Sequence, residues 1–368
     1  MNLGKAMQST LELAELDSKI AQLFMVGMPG TDLDENTKRL IGDVGIGGII
    51  LFSRNVKDPV QVAELCDSIQ QLATQTQDRP LFLAVDQEGG RVSRLREPFS
   101  LFPGNEAIGK SSTPEKEAGE FARVTAKEMA LVGLNMDLAP VLDVPRGEPE
   151  EHLKGRTFGP DPELTSGLGN IMIRTLQSGG IMAVAKHFPG LGAAGLDPHK
   201  TELTIDVHEN ELRKIDFKPF EGAIESKVVG IMISHAYYPA LDSQRPATMS
   251  PVIIGEILRE ELGFKGLILT DDLEMGAITR QWGVPEAAAL ALEAGADVLL
   301  ICENQELVPQ AISEIRDRIL RGNIPLQRLH EVVERIVNIK NENISEWHPR
   351  LLTNVYEYFA GQGEEKEQ

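Results

Sequence analysis

Short apolar runs recur along the chain, and their spacing constrains the fold more than any other feature of the sequence. The runs lie at Phe24–Met28, Gly47–Phe52, Leu81–Val85, Met136–Val144, Ile181–Phe188, Val228–Ser234, Leu267–Thr270 and Asp297–Ile301. Amphipathic segments separate most of them, for example at Val60–Thr74, Glu115–Val132, Leu164–Gln177 and Pro285–Glu293. Near-continuous apolar strands that alternate with helices are typical of parallel sheets covered by helices. Eight such units in roughly 300 residues predict an α/β protein of the (β/α)8 barrel type, with a single domain.

A doubly wound open sheet is the alternative architecture. It is disfavoured because no G-x-G-x-x-G motif opens a helix after the first apolar run. No Pro/Ser-rich linker divides the chain. We therefore expect an N-terminal extension and short helix over residues 1–23, a catalytic barrel over 24–343 and a C-terminal tail over 344–368. The closing helices are predicted at Glu306–Gly322 and Gln327–Asn343, and Gly361–Gln368 is predicted to be a frayed acidic end.

Charge and cysteine content restrict the partners that such a protein can have. The 36 Lys and Arg residues are outnumbered by 56 Asp and Glu residues, which gives a net charge of −20. This balance repels nucleic acid and anionic lipid. The chain has no apolar run of about 18 residues and no N-terminal apolar core of signal-peptide length. With Cys66 and Cys302 expected as buried free thiols, we predict a cytoplasmic monomer that has neither a membrane span nor a nucleic-acid partner.

The segment that runs from Lys186 to His199 carries the strongest functional signal. A buried strand ends in the pair Lys186 and His187, and a loop rich in Gly and Pro follows. The loop then brings Asp197 within two positions of His199. A histidine exchanges protons near neutral pH, and a nearby carboxylate can fix its tautomer. The alternative interpretation is that Asp197 only starts a turn and that His199 is solvated.

Polar residues follow the ends of several predicted strands. They are Arg54 and Asn55, then Asp86, Gln87 and Glu88, then Lys186 and His187, then His235, and finally Asp271 and Asp272. Active sites of (β/α)8 barrels lie at the C-terminal ends of the strands. Residues that are far apart in sequence are therefore expected to converge on one mouth, which favours an enzyme.

Two of these strand ends suggest particular chemistry. Asp271 suits a nucleophile or an electrostatic stabiliser of a developing cation, although capping of the next segment is the alternative. Asp86 and Arg94 flank a Gly-Gly turn, and a carboxylate with a guanidinium fork could bind sugar hydroxyls. A surface ion pair is the alternative there. The role of Asp143 stays open, and His235 either lines the pocket or caps a strand.

The sequence resembles glycoside hydrolase family 3, and most closely its bacterial branch of single-domain β-N-acetylglucosaminidases. The resemblance runs from near Phe24 to near Lys340. The matching segments, in family order, are Gly47–Asn55, Ala84–Arg94, Asn135–Val144, Gly155–Gly159, Lys186–His199, Met232–Ala236 and Thr270–Met275.

The resemblance implies a retaining exo-β-N-acetylglucosaminidase that releases terminal N-acetylglucosamine, with no metal or cofactor. Its substrate would be a peptidoglycan-derived muropeptide or a chitooligosaccharide. By the same resemblance Asp271 is the nucleophile, and His199 is the acid/base assisted by Asp197. The sugar-binding positions fall on Asp86, Arg94, Arg156, Lys186 and His187.

The loop departs from the pattern of this branch. Leu191 and Ala193 stand where the branch usually has His and Asp, and Pro198 stands where Ser is usual. Two other functions stay open. One is phosphorolysis of β-N-acetylglucosaminides, because a neutral histidine repels phosphate less than a carboxylate does. The other is a non-catalytic barrel that binds sugars or muropeptides.

Overall fold

The computed structural model describes residues 2–147, 150–193, 203–344 and 348–366. Its centre is a closed barrel of eight parallel strands, each paired with its two sequence neighbours and the last paired with the first. The strands are β1 (Phe24–Gly27), β2 (Gly48–Leu51), β3 (Phe82–Val85), β4 (Met136–Asp137), β5 (Met182–Phe188), β6 (Gly230–Ile233), β7 (Leu267–Asp272) and β8 (Val298–Ile301). Every strand falls within or overlaps one of the predicted apolar runs. The single-domain (β/α)8 barrel prediction is therefore confirmed.

Helices surround the barrel, with at least one helical segment after each strand. These segments are Glu35–Arg39 with Leu40–Val44, Pro59–Gln77, Pro114–Leu131, Pro162–Ser178, Glu209–Glu211 with Leu212–Asp216 and Phe217–Glu225, Val252–Glu261, Val284–Ala294 and Leu307–Leu320. Shorter helical segments lie at Ser53–Asn55, Asn105–Gly109, Ala247–Met249 and Gly276–Thr279, and Leu326–Asn343 closes the ring. Two small hairpins pair Gln87–Gly89 with Val92–Ser93 and Tyr237–Tyr238 with Asp242–Pro246.

The fourth strand is shorter than its apolar run predicts. Regular pairing covers only Met136–Asp137, because Pro140 has no N–H to donate to a ladder. The following residues nevertheless run beside β5, since Lys186 N donates to Pro140 O at 3.1 Å and Leu142 N donates to Lys186 O at 2.7 Å. This extension carries Asp143 to the same end of the barrel as Lys186.

Both termini contain more helix than the sequence analysis predicts. The N-terminal helix spans Asn2–Ala21, and it is much longer than the short helix expected near Leu16. A helix at Leu352–Lys366 covers much of the segment predicted to be a tail. The helix includes Gly361–Lys366, the described part of the end that was predicted to be frayed. Val355 and Phe359 are buried, and the Phe359 ring packs edge-on against Phe99 with centroids 4.8 Å apart.

Close backbone packing occurs where β1 meets the end of β8. A Cβ at Gly27 would lie 2.0 Å from the carbonyl oxygen of Cys302, so only glycine fits at this position. Cys302 and Cys66 are both buried free thiols. Within the described ranges, no helix is long and apolar enough to cross a membrane.

Candidate active site

A cavity of about 460 Å³ opens at the C-terminal ends of the barrel strands. All of the described residues that the sequence analysis assigned to catalysis or sugar binding line it, namely Asp86, Arg94, Arg156, Lys186, His187 and Asp271. Asp197 and His199 lie outside the described residues. The predicted convergence of the strand ends is confirmed for the residues of that set that line the cavity, namely Asp86, Glu88, Lys186, His187, His235, Asp271 and Asp272. The chemical roles of the site residues stay predictions.

A buried network of charged side chains forms one wall of the cavity. The Nζ atom of Lys186 lies 2.7 Å from Asp86 Oδ1 and 2.7 Å from Glu88 Oε1. The guanidinium of Arg156 donates to both Glu88 oxygens, from Nε at 2.7 Å and from Nη2 at 2.8 Å. Arg94 Nη2 completes the network 3.4 Å from Asp86 Oδ2. Buried charges are retained when they are paired in this way.

The network keeps its carboxylates ionised. Burial alone would raise the pKa of Asp86 and of Glu88, but Lys186 and the neighbouring arginines hold both pKa values below their usual range. Burial opposes the charge of Lys186 too, and the two carboxylates more than compensate, so its pKa is raised. Glu88 joins Lys186 to Arg156, and the sequence analysis expected it at the mouth but gave it no role in binding or catalysis. Its place directly after β3, two positions beyond Asp86, is the sequence signal that could have identified it.

A second buried carboxylate fixes the orientation of His187. Asp143 Oδ2 lies 2.8 Å from His187 Nδ1, and Asp143 is fully buried. Burial would raise the pKa of Asp143, but His187 and the amide of Leu191 lower it. Since the ionised carboxylate can only accept, His187 Nδ1 is the donor. The other ring nitrogen, Nε2, is then the polar atom that this imidazole can offer to a ligand.

Asp271 stands at the end of β7 and has no cationic partner among the residues that the structure describes. Its Oδ1 accepts a hydrogen bond from Asp272 N at 2.8 Å, and no described Lys, Arg or His forms an ion pair with it. It lines the cavity and is only half-buried. A carboxylate in this state is available to an electrophilic carbon or a developing cation.

Asp272 and His235 support the end of β7. Asp272 Oδ1 accepts from the amides of Glu274 at 3.1 Å and Cys302 at 3.3 Å. Burial, with the carboxylates of Glu274 and Asp271 nearby, raises the pKa of Asp272 to about 6. His235 lines the cavity, its Nε2 lies 2.9 Å from Asp272 O, and burial lowers its pKa. A neutral His235 with its proton on Nε2 therefore donates to that carbonyl and holds the peptide that follows Asp272.

Other residues depart from their expected positions. Arg54 binds Glu303 at 2.6 Å at the rim, and Asn55 is buried and donates to Met28 O at 2.9 Å, so neither lines the cavity. In contrast, Glu150 and His152 do line it, with His152 Nδ1 3.0 Å from Glu150 Oε2. The sequence analysis did not assign either residue to the site, because nothing in their local pattern distinguishes them from an exposed loop.

The fold and the cavity together define a class of protein. A (β/α)8 barrel with a buried donor–acceptor network on one wall and an unpaired carboxylate on another is suited to a neutral, hydroxyl-rich ligand whose reaction develops positive charge. This combination is that of a carbohydrate-cleaving barrel enzyme.

Comparison with known proteins identifies the family. Residues 15–339 match the glycosyl hydrolase family 3 N-terminal domain. A β-hexosaminidase of Alkalilimnicola ehrlichii is 36% identical over 313 residues, which cover 83% of this chain and 88% of that protein. A β-hexosaminidase of Thiobacillus denitrificans is 35% identical over 299 residues, which cover 79% of this chain and 81% of that protein. The chain belongs to glycoside hydrolase family 3, so it is a glycoside hydrolase and its substrate is a sugar.

Solved structures agree with this assignment. The β-N-acetylglucosaminidase of Paenibacillus sp. str. FPU-7 superposes with a TM-score of 0.86 at 33% identity, over 94% of this chain and 68% of that chain. NagZ from Neisseria gonorrhoeae, solved with N-trifluoroacetyl-D-glucosamine, superposes with a TM-score of 0.77 at 31% identity. That match covers 92% of this chain and 95% of the NagZ chain. The predicted resemblance to the single-domain bacterial branch is therefore confirmed.

Proposed function

We propose that this protein is a retaining exo-β-N-acetylglucosaminidase that releases terminal N-acetylglucosamine from peptidoglycan-derived fragments. The observation that carries the proposal is the unpaired carboxylate of Asp271, which shares a cavity with the network of Asp86, Glu88, Arg156 and Lys186. Relatives named β-hexosaminidase, and a NagZ structure with a glucosamine derivative, support the choice of hexosamine.

In the proposed reaction Asp271 attacks the anomeric carbon while the leaving oxygen takes a proton from His199. The bond to the aglycone breaks through an oxocarbenium-like state, and the sugar becomes an ester of Asp271. Water, deprotonated by the same His199, then attacks the ester and releases the sugar with its configuration retained. Asp197 is assigned to orient His199 and to stabilise its protonated form.

The buried network is assigned to hold the sugar during both steps. Lys186 and Arg156 present donors, the carboxylates of Asp86 and Glu88 present acceptors, and His187 presents Nε2 as a further polar atom. A sugar hydroxyl can donate and accept at once, so such a wall satisfies it from both sides. The ion pairs fix these side chains before substrate arrives, which lowers the ordering cost of binding.

The direct test measures hydrolysis of chromogenic β-N-acetylglucosaminides. Asp271→Ala should lower kcat by roughly three orders of magnitude or more, because no glycosyl-enzyme can form. His199→Ala should slow substrates with poor leaving groups by about 10²- to 10⁴-fold and activated aryl substrates much less. Asp43→Ala, at an exposed carboxylate near the start of β2, serves as the matched control and should keep the wild-type rate.

A trapping experiment separates the nucleophile from other essential carboxylates. A 5-fluorinated N-acetylglucosaminyl fluoride should label the peptide that contains Asp271. The mechanism is wrong if another side chain carries the label, if wild type is inert, or if either site variant keeps its full rate. Product analysis with and without phosphate distinguishes hydrolysis from phosphorolysis.

The proposal places the enzyme in the cytoplasm as a monomer. The buried free thiols of Cys66 and Cys302 support a reducing compartment. Cell fractionation and light scattering test the compartment and the oligomeric state, and comparison of muropeptides with chitobiose tests the aglycone.

A further inference from the structure

Asp143 makes contacts in two directions from one buried carboxylate. Its Oδ2 accepts from His187 Nδ1 at 2.8 Å, on the side of the cavity. Its Oδ1 accepts from Leu191 N at 2.7 Å, at the point where the chain leaves β5. The carboxylate is inaccessible to solvent, so both contacts are protected from competition with water. One side chain thus contacts a cavity-lining imidazole and the loop that follows it.

The segment Pro189–Ala193, which we call the stem, is held from other directions as well. The carbonyl of Gly190 accepts from Tyr238 Oη at 2.9 Å, and the carbonyl of Gly192 accepts from Arg146 N at 2.9 Å. A Cβ at Gly192 would lie 1.8 Å from the carbonyl oxygen of Val144, so the stem lies directly on the backbone beside Asp143. The stem is therefore a fixed base from which the chain continues to Asp197 and His199.

We propose that Asp143 is a positioning residue that fixes the tautomer of His187 and, through Leu191 N, the base of the segment that carries Asp197 and His199. This inference rests on the proposed function. Its consequence is that one carboxylate sets both the orientation of an imidazole that lines the cavity and the origin of the acid/base segment. Asp143 itself touches neither sugar nor leaving group in this scheme.

The variant Asp143→Asn separates the two contacts. Its amide oxygen can still accept from Leu191 N, whereas its NH2 group must donate toward His187 Nδ1. His187 then accepts through an unprotonated Nδ1 and carries its proton on Nε2. In wild-type protein with ¹⁵N-labelled histidine, His187 Nδ1 should resonate as a protonated ring nitrogen. In Asp143→Asn it should resonate as an unprotonated one, with His187→Ala used to assign the signal.

Binding and kinetics then test whether Asp143 acts through His187. Asp143→Asn should weaken the binding of N-acetylglucosamine and lower kcat/KM by about 10- to 100-fold, as removal of an orienting partner usually does. In the background His187→Ala, the same substitution should have no further effect on binding. Asp143→Ala removes the acceptor of Leu191 N as well. It should lower kcat in either background, and more for poor leaving groups than for activated ones.

These outcomes separate this inference from the proposed function. An unchanged His187 tautomer in Asp143→Asn, or independent additive losses in the double variant, would overturn the role of Asp143. The tautomer measurement needs no substrate, so it decides the matter even if wild type proves inert on β-N-acetylglucosaminides. Gly192→Ala, whose Cβ would clash with the carbonyl of Val144 next to Asp143, should displace the stem and lower kcat. An unchanged kcat in that variant would contradict the role assigned to the stem.

Discussion

Lys340 is a buried cation at the opposite end of the barrel from the cavity, and its burial makes a quantitative prediction about stability. The residue is 2% exposed in the helix Leu326–Asn343. Its Nζ lies 4.9 Å from the centre of the Phe82 ring and 3.4 Å from Gln22 Oε1, and no described carboxylate pairs with it. Burial, with a smaller contribution from Arg79, lowers the pKa of Lys340 to about 7.

The lowered pKa of Lys340 determines how much the stability of the protein changes with pH, and in which direction. An ordinary lysine has a pKa near 10.4, so between about pH 7 and pH 10 the unfolded chain binds a proton that the folded chain does not. Stability therefore rises with pH through this window by about 1.4 kcal/mol per pH unit. Below about pH 7 the buried amine is charged in the folded state. Its burial then lowers the unfolding free energy by roughly 4 kcal/mol relative to a solvated lysine.

The substitution Lys340→Met should remove this cost while conserving much of the side-chain volume. We expect the variant to gain roughly 2–4 kcal/mol of unfolding free energy near pH 6.5 and almost nothing near pH 10. Urea unfolding followed by circular dichroism over this pH range measures the difference. Other titratable groups contribute equally to the stability of wild type and variant, so their contributions cancel in this difference. Lys340→Arg, whose charge cannot be neutralised, should be less stable than wild type throughout.

A substitution at exposed Lys265 provides the matched control. Lys265→Met should show no gain that varies with pH, because that side chain is solvated in both states. A gain for Lys340→Met that is independent of pH, or a loss near pH 6.5, would refute the reasoning. Glycosidase activity should be unchanged in Lys340→Met, since this residue does not line the cavity.

Two further predictions concern the cavity wall. Glu88→Gln should cost about 3–5 kcal/mol of stability and weaken N-acetylglucosamine binding, because Lys186 and Arg156 lose a shared buried counter-charge. Thermal unfolding and calorimetry measure these losses, and unchanged values for both would contradict the proposed sugar-binding network. Asp272→Asn should gain stability relative to wild type as pH rises from about 4 to 6, because the folded state disfavours the charged form of Asp272 over this range. A stability difference that is flat over this range would count against the raised pKa.

The barrel was predictable because its signal is local. Each strand is a short apolar run, and each intervening helix has its own periodicity, so every unit can be recognised without knowledge of its neighbours. Convergence at the C-terminal mouth then follows from topology alone, and it placed Asp86, Lys186 and Asp271 in one cavity. The strand β4 is shorter than its apolar run because Pro140 has no N–H to donate. A pattern of apolar residues does not reveal this effect.

The ion pairs that organise the cavity could not be predicted from local sequence. Glu88 and Arg156 are 68 positions apart in sequence, and Asp143 and His187 are 44 positions apart. The residues next to either carboxylate do not indicate which side chain it will bind. Glu150 and His152 were missed for a related reason, because their place on the cavity wall depends on the course of the loop after β4. The helix Leu352–Lys366 was not predicted because its buried face, with Val355 and Phe359, is narrow, and polar and glycine residues interrupt its apolar pattern.

The distribution of charge around the cavity explains why Asp271 is the group expected to react. Asp86 and Glu88 are compensated by Lys186 and the arginines, and the carboxylate of Asp143 is bound to His187 and Leu191 N. Burial raises the pKa of Asp137, beneath the network, well above its usual range, so it adds no charge there. Asp271 has no cationic partner among the described residues. Its carboxylate is therefore the group that could stabilise a positive charge developing on a bound sugar. We therefore expect one uncompensated carboxylate, rather than the overall field of a protein with a net charge of −20, to stabilise the developing charge.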